Sequence, residues 1–178
     1  MLMTEKYYRT DEKENAVDFL EVAATFYAGN HPHKWKWLTI SLHGALYGFA
    51  VLAIRGTDPD RVSKGKNKKL IGLWEVLKRC QDDAYMLQYS GSRRVDVSHD
   101  ENLAIKKLSA EFRNNFEHFM PKLWSIEVSG FPAIVGHVCR VISFLAFESG
   151  NVGLTPGQRR KVVHALDILL ASPRPHSR

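Results

Sequence analysis

Cysteine is scarce in this chain. Cys80 and Cys139 are the only two in 178 residues, and both fall in apolar helical patterns. Two thiols without close metal-ligand spacing exclude a disulfide-stapled fold and a cysteine-built zinc centre, and they suit a reducing cytoplasm. The opening Met1-Leu-Met-Thr-Glu-Lys6 does not read as a secretory leader, so the expected location is cytoplasmic. A glycine-rich phosphate loop, a clustered Cys/His set and a Gly-x-Ser-x-Gly elbow are all missing. No cofactor and no metal are therefore expected. His31-Pro-His33 comes nearest to a ligand pair, but two histidines alone make a poor site, and the segment reads as a loop. Repeats, low-complexity segments and composition breaks are absent as well, which leaves residues 1–178 as a single domain with a loose tail over 172–178.

Acidic residues are in deficit: 25 Lys and Arg face 19 Asp and Glu, for a net charge of +6 and a pI near 9.4. The excess favours polyanions without identifying one, and solubility alone explains it equally well. One stretch has no formal charge at all, Trp37 to Ile54, the lower edge of a membrane span. Thr39, Ser41, His43, Gly44 and Gly48 dilute its apolar character, so it reads as the buried helix of a soluble protein, with no membrane partner.

The elements present are helices. Asp11 with Glu14 resembles a capping box that opens a helix to Ala28, closed by Gly29-Asn30 and Pro32. The second helix, Lys34 to Arg55, carries two apolar stripes. Trp35, Leu38, Leu42, Ala45, Phe49 and Leu52 form one; Trp37, Ile40, Gly44, Tyr47, Val51 and Ile54 form the other. Two such faces predict burial on both sides, at the centre of a bundle. His43 on this helix reads as a core histidine with a structural partner, the alternative being a supporting role near a site. Gly56-Thr-Asp-Pro-Asp60 is a turn, and Arg61 to Lys69 a mobile basic loop holding Lys64, Lys66, Lys68 and Lys69, suited either to backbone phosphates or to solvation. A third helix spans Leu70 to Tyr89 with a break near Gln81-Asp-Asp83, and the loop after it adds Arg93 and Arg94 to the basic surface. Ser98 with Glu101 caps a fourth helix that Pro121 stops. Trp124 to Val128 reads as a short extended arm. Gly130 and Pro132 begin a fifth helix to Glu148, and Thr155-Pro-Gly-Gln158 caps a sixth to Ala171. The fold class is all-α, a bundle of about five to six helices.

The fourth helix carries the chemistry. Ile105, Leu108, Phe112, Phe116 and Phe119 form its core stripe. Beside that stripe stand Arg113, Asn114, Glu117 and His118: a permanent cation, an amide, a carboxylate and an imidazole. An arginine fork fits a phosphate, and histidine takes and gives protons near neutral pH. Chance alone places a His five positions after an Arg about 0.5 times in a chain of this composition. The pattern occurs three times, at Arg94–His99, Arg113–His118 and Arg159–His164. The first straddles a loop and the last lies in a basic first turn. Only Arg113–His118 sits late in a long helix, with an Asn directly after the Arg.

Phe112-Arg-Asn-Asn-Phe-Glu-His118 resembles the Arg-(Asn/Asp/His)-three-His motif of the HEPN superfamily. Three flanking segments are similar to stretches of uncharacterised bacterial members: His43 to Phe49, Ile54 to Asp60 and Phe119 to Glu127. The resemblance implies a HEPN-like helical bundle that dimerises so that two motifs meet, and active members that cut RNA without a metal. It also implies relatives that are inactive binding modules, and it brings in a toxin–antitoxin or phage-defence setting, with an antitoxin protein as a further partner.

Helical geometry points to a dimer independently. Five residue steps turn a helix by about 500°, which leaves Arg113 and His118 about 140° apart. Either the last turn opens before Pro121, or a second copy completes the site. The leading reading is a metal-independent endoribonuclease acting as a homodimer: His118 as acid or base, Arg113 on the scissile phosphate, Asn114 positioning, Glu117 orienting the imidazole. The alternatives are a non-catalytic HEPN-like module that dimerises or binds RNA or a partner protein, and a purely structural helix end. An ion pair between Arg113 and an internal carboxylate such as Glu117 would count against catalysis.

Overall fold

The computed structural model describes residues 7–118, 121 and 123–171. Phe119, the last residue of the motif stripe, and the tail 172–178 lie outside them. Among the described residues the architecture is an all-α bundle with one two-residue hairpin.

Helix α1 (Glu12–Ala28) starts where Asp11 accepts the Glu14 backbone N–H at 2.8 Å, half of the anticipated capping box. It lies against α2 (Lys34–Arg55), the central element of the bundle. The two backbones approach closely because α2 offers glycines there. A Cβ on Gly48 would stand 2.8 Å from the Ala16 Cβ, and one on Gly44 would stand 2.7 Å from the Phe19 ring. Of the two apolar stripes on α2, the one through Leu38, Leu42, Ala45 and Phe49 is fully buried. The second is only half-covered, and Trp37 at its start is 40% exposed. Burial on both sides is thus true of the later turns and not of the first.

The C-terminus of α2 ends at Gly56, whose φ of +52° favours glycine, and its loose carbonyls are collected by side chains from two later segments. The Gln88 amide donates to the Ala53 and Ile54 carbonyls at 3.0 and 3.1 Å, and the Asn151 amide to Ala53 and Met86 at 3.0 and 2.8 Å.

The segment after Gly56 is more ordered than a mobile loop. A 3₁₀ turn, Pro59–Val62, leads into the antiparallel pair β1 (Ser63–Lys64) and β2 (Lys69–Leu70). Arg61 anchors it by donating to the Tyr85 and Ala84 carbonyls. The anticipated third helix is two pieces, α3 (Leu73–Cys80) and α4 (Asp83–Met86), split where the Asp82 carboxylate caps the Ala84 N–H.

The motif helix opens as α5 (His99–Lys106) with the full Ser98–Glu101 capping box, widens to a π segment (Lys107–Arg113), and closes as α6 (Asn114–Glu117). A second widening, Phe144–Glu148, comes after α7 (Phe131–Ser143), and α8 (Pro156–Leu170) is capped by Thr155 and Gln158 in the anticipated box. Residues 123–128 run without helix or strand, with the Trp124 ring edge-on to Phe116 at 4.8 Å.

Two helices, Lys34–Arg55 and Phe131–Glu148, are long and apolar enough to cross a membrane by length and composition. Their apolar residues build the common core here: Leu42, Phe49, Val135 and Ile142 are each inaccessible to solvent. Cys80 and Cys139 lie in the same core, and burial pushes both thiols up to about 12, so neither is reactive in this fold.

Candidate functional site

The π segment decides where Arg113 lies. Its closing bond runs from the Asn114 N–H to the Ser109 carbonyl, five residues back, so the turn holds one residue more than an α-turn. That resets the register of the downstream turn by roughly one residue, or about 100°. Phe112 stacks on Phe131, with ring centres 4.8 Å apart, and Arg113 faces the middle of α2, where its charge is felt at His43.

Around the guanidinium the structure gathers three of the four motif side chains. Arg113 donates to the Asn114 side-chain carbonyl at 3.1 Å and pairs with the Glu117 carboxylate at 2.5 Å. Its Nε is buried and makes no hydrogen bond to any described residue. About a third of the Arg113 and Glu117 side chains is accessible, 31% and 33%, so the cluster sits at the rim of the bundle.

His118 is not part of that cluster. From Asn114 onward the chain is ordinary α-helix, and the His118 N–H bonds the Asn114 carbonyl at 3.0 Å. The helix ends at His118 itself, with φ −92° and ψ 7°, and the residue is exposed. The widened segment ends at Arg113 and does not lie between the two residues, so it does nothing to close the angle between them. Within one chain no hydrogen bond or ion pair joins the arginine and the histidine.

The basic residues do not converge on this cluster. Lys68 pairs with Asp60 at 2.9 Å, Arg93 with Glu148 at 3.1 Å and Arg94 with Asp83 at 3.6 Å. Lys64, Lys66 and Lys69 are exposed on the hairpin, and no ion pair of these six residues reaches the motif. Arg159 and His164 line a shallow hollow of about 440 Å³ on α8, with Arg159 over the Phe147 ring at 4.5 Å.

Of the two sequence readings of His43, a core residue with a structural partner or a supporting residue near a site, the surroundings favour the second. His43 is partly buried, and no hydrogen bond to its ring is found among the described residues, so it is not a core histidine with a structural partner. Burial first, and then the Arg113 charge, lower its pKa to about 4. The imidazole beside the arginine is therefore neutral at neutral pH. Its signal in the sequence is weak: the single histidine in the uncharged run from Trp37 to Ile54.

No group of three His, Cys, Asp or Glu side chains among the described residues is placed to hold a metal ion. Compared with family models, with curated proteins and with solved structures, the chain gives no match.

Proposed function

We propose that this chain is a HEPN-type, metal-independent endoribonuclease that works as a homodimer. The observation that carries the reading is the partly exposed Arg113 fork, held by Asn114 and Glu117 in the last turns of a helix that ends at the exposed His118. One fork and one imidazole are half of what cleavage needs. A two-fold related copy supplies the other half, because an isologous contact brings each helix end to its own image.

In the cleavage step the 2′-oxygen of the ribose attacks phosphorus. His118 of one chain takes the 2′-hydroxyl proton, and the P–O5′ bond breaks. The His118 of the other chain protonates the departing 5′-oxygen, giving a 2′,3′-cyclic phosphate and a 5′-hydroxyl. Arg113 stabilises the charge that builds on the phosphoryl oxygens. Asn114 holds one edge of the fork. His43, neutral beside the guanidinium, adds no competing charge. DNA lacks the attacking hydroxyl and is not cut.

A specific observation favours a second reading, a non-catalytic module that dimerises or binds a partner in a toxin–antitoxin or phage-defence setting. Arg113 is already paired with Glu117, the arrangement that counts against a free phosphate site. Magnitudes decide how much it counts. A partly exposed i,i+4 pair is worth about 0.2–0.5 kcal/mol, whereas hydrogen bonds to a charged group contribute about 1.5–3 kcal/mol. A phosphate therefore displaces Glu117 at small cost. The two readings separate on one experiment: Glu117→Gln protein incubated with mixed RNA in chelator. The ribonuclease reading expects cleavage by the parent chain and a changed rate in the variant. The module reading expects no cleavage by either protein.

A further inference from the structure

The start of α2 is chemically unlike the rest of the surface. His31, His33, Lys34, Trp35, Lys36 and Trp37 stand within seven residues, and no Asp or Glu occurs between Glu21 and Asp58. The Trp37 ring is 40% exposed, tilted by 30° against Phe26 at 6.2 Å, with the Lys36 ammonium over it at 4.9 Å. The Lys34 ammonium lies 4.8 Å from the Trp35 ring centre. His31 packs edge-on to Phe26, and its Nδ1 accepts the His33 backbone N–H at 3.0 Å, which leaves the ring proton on Nε2 as an outward donor. A hollow of about 280 Å³ adjoins, lined by Asn30, His31, Pro32, Lys34 and Trp35.

We propose that this loop and first helical turn form a docking platform for single-stranded RNA, in which a base stacks on Trp37 and the flanking phosphates meet Lys34 and Lys36. Exposed flat rings interleaved with cations are what sequence-tolerant strand binding uses, since every base has a face to stack and every nucleotide a charge. A solvated cation–π contact is weak, so the Lys36 ammonium yields the ring when a phosphate draws it away. The other tryptophan of this turn packs toward the motif. Trp35 contacts Phe131 at 4.7 Å, Phe131 stacks on Phe112 at 4.8 Å, and Phe112 directly precedes Arg113. Trp37 itself packs on Phe26, so the strand and the Arg113 fork are carried by different faces of the same helix. The identity of the partner rests on the ribonuclease reading, which makes the platform the strand-holding part of the same enzyme.

The probe is a 2′-O-methyl uridine oligonucleotide, which cannot undergo 2′-hydroxyl attack, titrated into full-length protein while intrinsic tryptophan fluorescence and anisotropy of the labelled strand are monitored. Trp37→Ala should weaken binding by about 5- to 100-fold, and Trp37→Phe, which keeps a stacking face, should restore most of it. The surface double variant Lys34→Gln/Lys36→Gln should lower the slope of log Kd against log salt by about 1.4, the value for two single-strand phosphate contacts. Affinity and salt slope unchanged in both the Trp37→Ala and the lysine variants overturn the proposal. A shift from dimer to monomer with unchanged affinity also overturns it, since the face is then a subunit contact. Failure of the ribonuclease reading is a different result: the platform variants lose the strand, yet the parent protein leaves mixed RNA intact.

Discussion

His43 titrates in a direction that acid stability can read. Its folded pKa is depressed to about 4 from 6.5, so the unfolded chain takes the proton first as the pH falls. Stability is therefore fully present above pH 6.5, drops between about 6.5 and 4, and levels off below; at about 1.36 kcal/mol per pKa unit the loss is on the order of 3 kcal/mol. His43→Gln should flatten the fall of Tm in that window, and an unchanged slope would assign it to other groups. Arg113 is the other residue whose environment makes a prediction. Its Nε is buried without a bond and its remaining nitrogens are held by Asn114 and Glu117. A lysine there keeps the charge but loses the fork. Arg113→Lys should thus cleave RNA markedly more slowly than the parent while remaining folded, as checked by single-turnover rates beside thermal melts. The Arg113–Glu117 pair could be read from the sequence because residues four apart are neighbours on any helix, whereas the Asn114 contact comes from the bend of the Arg113 side chain. The exposure of Trp37 and the neutrality of His43 could not, because each depends on what α1 and the π segment bring against α2.

Among elements, the α1–α2 contact is the one whose sequence signal has the clearest energetic meaning. Glycine inside a helix costs about 1 kcal/mol relative to alanine, so Gly→Ala stabilises wherever a methyl fits. At Gly48 it does not fit: the new Cβ meets the Ala16 Cβ at 2.8 Å. Overpacking of about 1–3 kcal/mol outweighs the gain, and Gly48→Ala should lower Tm. Gly136, in α7, has nothing within 4 Å of its notional Cβ, so Gly136→Ala should raise Tm. Equal signs for the two in parallel denaturation would refute this account of the helix contact. Caps and stripes made α1, α2, α5 and α8 legible, since Asp11, Gly56, Ser98 and Thr155 announce their own roles. The π segments were not legible. An i→i+5 turn has no residue signature, and the first of the two accompanies the stacking of Phe112 on Phe131, a partner in another helix. The basic hairpin was read as loose because its order comes from Arg61 reaching Tyr85, a partner far along the chain.

At the scale of the whole molecule, one chain offers an arginine cluster and a histidine that are not bonded to each other, and a net charge of +6 spread over the whole sequence. The proposed function needs two chains of 20.3 kDa. Light scattering at micromolar concentration should report a dimer, and a strict monomer that still cuts RNA would remove the two-fold argument. The most direct measurement is end-group analysis of mixed RNA after incubation, in chelator, with the parent and with His118→Ala. Cleavage by the parent to 2′,3′-cyclic phosphate ends, slowed about 10²- to 10⁴-fold in the variant, is the predicted result. Equal cleavage by the two proteins, or ends of another kind, would contradict it.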